Sequence, residues 1–117
     1  MIKNIYSLVL ALFIVQGINS QTPCSGGMAG VYPCNNMDLL SNIPVSVLAN
    51  SNGSPRGSDI WGWADTANNK EYALVGTSNS TAFVDVTDPV NPVFLGRLDT
   101  NAGNNVWRDV KVYNNYA

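Results

Sequence analysis

The side chains that could do chemistry in this chain are few. Histidine is absent, so the usual base for a serine or cysteine nucleophile is missing. Carboxylates are the other candidates for proton transfer. Asp59, Asp65 and Asp109 could serve as an acid–base pair for glycoside hydrolysis, but nothing in the sequence sets their separation. Asp85 and Asp88 read as turn and strand-edge hydrogen-bonding residues, because the acids around them do not form a calcium loop. Trp61, Trp63 and Trp107 offer flat faces of the kind that stack on sugar rings. Trp61 and Trp63 share one side of a strand because side chains alternate, and Gly62 between them admits close approach. The competing reading packs both rings between sheets, since aromatic side chains dominate core burial. Arg108 and Asp109 read either as a buried ion pair bracing a loop or as a solvated pair worth little. Asp59 holds the equivalent place fifty residues earlier, which favours a repeated structural bond. No catalytic residue, cofactor or metal site is assigned within these residues.

Cys24 and Cys34 are the two cysteines. In an exported chain they fit a disulfide closing a segment rich in proline and glycine. A redox pair would want C-x-x-C spacing, and a metal site more ligands than this segment holds.

The elements that must position these residues begin after a targeting segment. Lys3 is the only charge before Asp38, Ile5 to Val15 is apolar but for Ser7, and Ile18-Asn19-Ser20 follows Gly17. This is the order of a secretory signal peptide over residues 1–20, with cleavage expected after Ser20. The apolar run is too short to span a bilayer, and the alternative is a core helix or anchor. No later run reaches spanning length. The remaining 97 residues carry five cations and eight acids, with no basic stripe, so nucleic-acid binding has no electrostatic support.

Gly, Asn, Ser, Thr and Pro are plentiful, which suits strands and turns. Residues 21–58 read as an ordered but irregular lead-in. Four short strands are then expected at 59–63, 71–76, 81–86 and 93–98, each bounded by turn formers. Four strands in about forty residues is the length of one propeller blade. The link Thr87-Asp88-Pro89-Val90-Asn91-Pro92 is stiff, and both prolines must lie outside paired positions. Asp109-Val110 aligns with Asp59-Ile60, and Tyr116-Ala117 with Tyr72-Ala73, so a second unit is expected to begin near 109. Met37-Asp38-Leu39 followed by Pro44-Val45 weakly echoes Val84-Asp85-Val86 followed by Pro92-Val93. The lead-in is therefore expected to offer ring-closing strands. One blade cannot bury its own faces, so the chain reads as an N-terminal fragment of a longer repeat protein. Asn52-Gly53-Ser54 and Asn79-Ser80-Thr81 fit glycosylation sequons, and ordinary turns fit them equally.

The stretch from Tyr72 to Leu98 resembles the LVIVD-type repeat, in which Val-Asp-Val-(Ser/Thr)-Asp-Pro ends a strand pair. More closely, GMAGVYPCNNMDLLSNIP (27–44), GSDIWGW (57–63), VDVTDPVNPVFLGRL (84–98) and WRDVKVYNNYA (107–117), together with Cys24, resemble the start of the choice-of-anchor B family of secreted bacterial proteins. The resemblance implies a β-propeller-like fold and a secreted or surface-bound protein. It implies no catalytic residues, since the family defines none to carry over. The leading expectation is an all-β, non-enzymatic propeller protein, secreted or at the cell surface, presenting a surface to protein or glycan. The rival is a secreted hydrolase whose catalytic residues lie in further blades. A third reading is a small autonomous disulfide-bonded domain.

Overall fold

Residues 21–117 are described by a computed structural model; the expected signal helix lies outside the described residues. Seven elements follow one another: β1 (Met28–Ala29), β2 (Tyr32–Pro33), α1 (Val45–Leu48), β3 (Gly57–Asp65), β4 (Lys70–Thr77), β5 (Ser80–Asp85) and β6 (Val93–Asp99). The chain is thus mostly β. No helix among the described residues is long and apolar enough to cross a membrane.

Strands β3 to β6 form one antiparallel sheet in chain order. Each connection has a local cause. Between β3 and β4, the Asp65 carboxylate accepts from the Asn68 backbone and side chain, and Asn69 takes φ +52°, a conformation asparagine tolerates. Only Ser78 and Asn79 separate β4 from β5. In the β5–β6 link the Asp88 carboxylate accepts from the Val90 amide at 3.1 Å and the Asn91 side chain at 2.9 Å. Pro89 and Pro92 fall outside the paired strands.

The register sorts the side chains into two apolar faces. Trp61 pairs with Leu74, Trp63 with Tyr72, and Leu74 with Phe83, so these rings and chains share one face. Ala73, Val84 and Phe94 share the other with Val75 and Ala82. A bulge lets Phe83 face Gly96 while Val84 faces Phe94, and Gly96 takes φ +145° there. Glycine alone adopts that backbone without strain.

The alanine and valine face is covered by the lead-in. Leu48, Ala82 and Val84 are buried together, with Ile43, Ala73, Val75, Val86 and Phe94 packed around them. The echo of Pro92-Val93 at Pro44-Val45 led to an expected strand here, and the structure corrects it. The Pro44 carbonyl accepts from the Val47 amide at 2.9 Å and opens a single helical turn. That turn sets Val45 and Leu48 three residues apart on one side, and Leu48 reaches the sheet. Leu39, in the other half of the echo, makes one antiparallel bridge with Thr22.

The opposite face meets residues 108–112. Val110 is buried, and a β-carbon added to Gly76 would lie 3.1 Å from its Cγ2. Gly76 is therefore the gap into which the returning chain fits. Residues 107–112 carry no ladder of their own, unlike the strand expected from the Asp59 alignment. The turn expected after them is present: Tyr113 and Tyr116 exchange backbone bonds of 2.9 and 3.1 Å across Asn114-Asn115.

The start of the lead-in is a separate knot. Cys24 and Cys34 are disulfide-bonded with their Cα atoms 5.8 Å apart. Closing so short a loop stabilises by about 2–3 kcal/mol through the unfolded state. The bond brackets the β1–β2 hairpin, and the Asp38 carboxylate accepts from the Cys24 amide at 2.8 Å and the Gln21 side chain at 2.6 Å.

Candidate binding surface

Strand polarity brings the start of β3, the turn between β4 and β5, and the end of β6 to one end of the sheet. Three loops meet there, and the turn Thr77-Ser78-Asn79-Ser80 holds them. All four residues are buried although all are polar. Burial without partners would be costly, and each group is matched. Thr77 Oγ1 contacts Ser80 Oγ at 2.8 Å and accepts from the Ser80 amide at 3.0 Å. Asn79 Nδ2 donates to the carbonyls of Asn50 (2.8 Å) and Asn52 (3.1 Å), while its Oδ1 accepts from the Asn50 amide. Ser78 takes the Asn105 amide on its carbonyl and donates its own amide to Arg56. From the sequence these residues read as a turn, with Asn79 and Ser80 also fitting a glycosylation sequon. Their burial comes from loops 29 and 27 residues away, which no local pattern announces.

Arg108 belongs to this end as well. Its guanidinium donates to the carbonyls of Ser78 (3.3 Å), Asn105 (3.2 Å) and Gly103 (3.0 Å). It ties two loops together and makes no ion pair with its neighbour; Asp109 is exposed. Of the two readings, a buried ion pair or a solvated one, neither describes Arg108, whose guanidinium caps carbonyls instead.

Whereas Asp109, its counterpart in the alignment, is exposed, Asp59 makes a structural bond. Its carboxylate accepts from the Val110 amide at 2.9 Å and the Lys111 ammonium at 3.1 Å. These contacts, the Val110 amide foremost, hold its pKa below the ordinary carboxylate range. Ser58 beside it accepts from the Arg108 amide at 3.1 Å and donates toward the carbonyls of Val106 and Arg108. Ser58 and Lys111 were not singled out from sequence, since neither type at its position is unusual.

This geometry weighs against a hydrolytic carboxylate pair. Asp59 and Asp65 lie six residues apart on one strand, about 20 Å by strand rise, whereas the chemistry needs roughly 5–10 Å. Asp109 is exposed, and the Asp59 carboxylate is taken up by the Val110 amide and the Lys111 ammonium. No cluster of metal-ligating side chains forms among the described residues.

The tryptophans take three different positions. Trp63 stacks on Tyr72 with centroids 5.4 Å apart and planes 20° from parallel. Trp61 is part-exposed, and the Lys111 ammonium sits 5.1 Å from its ring centroid, within cation–π range. Trp107 is 89 % exposed, at the loop-rich end, with its amide donated to Asn105 Oδ1. Beneath the returning segment an apolar groove of about 320 Å³ runs past Trp63, Tyr72, Leu74, Phe83, Leu95 and Val112.

At the far end of the sheet Asp85 accepts from the Thr87 amide at 2.9 Å and from Lys70 at 3.0 Å. Its pKa is lowered to about 2, chiefly by hydrogen bonding from Thr87 and then by Lys70. Asp88 is lowered in the same way by Asn91 and Val90. Both residues are thus turn-forming carboxylates in this fold.

Neither a family model, nor a curated protein, nor a solved structure matches the chain.

Proposed function

We propose that the four-stranded sheet is one blade of a β-propeller-like repeat protein of the choice-of-anchor B kind, exported by residues 1–20. It is secreted or held at the cell surface, where it presents a loop-built surface to protein or glycan. The observation that carries this reading is the contact of Ser58 and Asp59 with Arg108 and Val110, about fifty residues on. The equivalent residues of successive units touch each other, and the second unit's first segment lies on the face of the first sheet. That is how neighbouring blades stack, and nearest-neighbour contact is what holds repeat architectures together.

The same stacking leaves the loop-rich end free to bind. Trp107 stands there with most of its ring in solvent, supported by loops fixed through Asn79 and Arg108. A rigid scaffold carrying an exposed aromatic on a loop is a common form of recognition site. The test is retention of the purified chain on arrayed glycans and immobilised envelope proteins. Retention that falls with Trp107→Ala supports the reading. Absence of retention, or turnover of chromogenic glycosides or esters, removes it and favours the hydrolase. Export has its own test: residues 1–20 fused to a periplasmic reporter should carry it out of the cell and be removed after Ser20.

A further inference from the structure

We propose that Asn52-Gly53 is a site of spontaneous deamidation, and that its conversion loosens the loop junction held by Asn79. The reaction needs three things: an asparagine side chain free to bend back, a following amide nitrogen free to attack, and no side chain shielding it. Gly53 takes φ +80°, a conformation that favours glycine at this position. Gly53 brings no side chain of its own next to Asn52, and the neighbouring side chain there is that of Asn104, whose Nδ2 a β-carbon on Gly53 would meet at 2.9 Å. Asn52 and Gly53 are both exposed. Among the described residues the Asn52 side-chain amide makes no hydrogen bond, and the Gly53 amide donates to none.

No other asparagine precedes a glycine. Asn79-Ser80 has a small follower, but both polar atoms of the Asn79 amide are engaged, and the Ser80 nitrogen donates to Thr77 Oγ1. The amides following Asn101, Asn104 and Asn115 donate to Thr100, Ser78 and Tyr113 respectively. Asn50 has its side chain tied to Asp99 and to the Asn52 amide.

The chemistry balances with water alone. The Gly53 nitrogen loses its proton and bonds to the Asn52 Cγ. The Cγ–Nδ2 bond breaks and ammonia leaves, giving a succinimide. Water then opens the ring at either carbonyl, leaving aspartate or isoaspartate. In the isoaspartate the chain runs through Cγ, and the former Asn52 backbone carbonyl becomes a free carboxylate. That carbonyl is one of the two acceptors of Asn79 Nδ2. The modified loop carries a new charge and one more backbone atom at the junction where three loops meet.

The test is incubation of the purified chain in warm, mildly alkaline buffer. Peptide mapping by mass spectrometry is run alongside enzymatic methylation of isoaspartate with a labelled methyl donor. The expected result is conversion at Asn52 ahead of every other asparagine, with methyl incorporation lost in Asn52→Gln. The aged chain should melt lower than Asn52→Gln aged in parallel, because that variant keeps the backbone carbonyl. Conversion led by another asparagine, or no methyl incorporation, overturns the site. Equal melting of the two aged proteins overturns its effect on the junction.

Discussion

Three residues show how single side chains hold this sheet and its returning segment. Asn79 joins two loops through one buried amide, and Asn79→Ala removes its bonds to part-buried backbone groups of Asn50 and Asn52. The expected cost is about 1–3 kcal/mol, read as a lower midpoint in urea unfolding. Asp85 sets the acid limit. Its pKa falls from the ordinary 3.8 to about 2 in the fold, so its bonds stabilise fully above about 4, and that contribution is lost as pH falls through about 2. Fluorescence-monitored unfolding across that window should show declining stability, flattened in Asp85→Asn. A structural role for Asp59 was legible from its match with Asp109, but its repetition was not: Asp59 holds the Val110 amide while Asp109 is exposed. The carbonyl-capping role of Arg108 was not legible either, since one of its acceptors, the Ser78 carbonyl, lies thirty residues away in the chain. Thr77 to Ser80 were also illegible: small polar residues in a turn look solvated unless distant loops close over them.

At the scale of elements, the strands were the most legible part. Runs such as Tyr72-Ala73-Leu74-Val75 and Val93-Phe94-Leu95 are bounded by turn formers, and the observed strands run one or two residues past most of the expected ends, while β5 stops one residue short, at Asp85. Hydrogen bonding to a neighbour, which periodicity does not encode, sets those ends. The turn of helix α1 escaped because four residues are too few for a helical period to register. The returning segment 108–112 is the element on which the account turns. It is held by the Asp59 carboxylate and by the gap at Gly76. Gly76→Val fills that gap and should cost about 1–3 kcal/mol by overpacking. Asp59→Ala removes the acceptor of the Val110 amide without crowding it. Amide hydrogen exchange at Val110 should speed up in both variants, while exchange in β4 and β5 rises in the first more than the second.

For the whole molecule, the governing fact is a sheet apolar on both sides. The lead-in covers the alanine and valine face with Ile43 and Leu48. The aromatic face receives Val110 and Val112 but keeps an apolar groove beside Trp63, Tyr72, Leu74 and Phe83. An isolated four-stranded sheet with one face part-open has too little buried surface for a firm cooperative core. On the proposed reading, this face takes a neighbouring sheet. The most direct check is thermal unfolding of the purified chain by tryptophan fluorescence, with a hydrophobic dye present from the start. The expected result is dye bound before heating and a broad, shallow transition. A single sharp transition with no dye bound in the cold would mean the sheet is sealed by its own chain, and would contradict that reading.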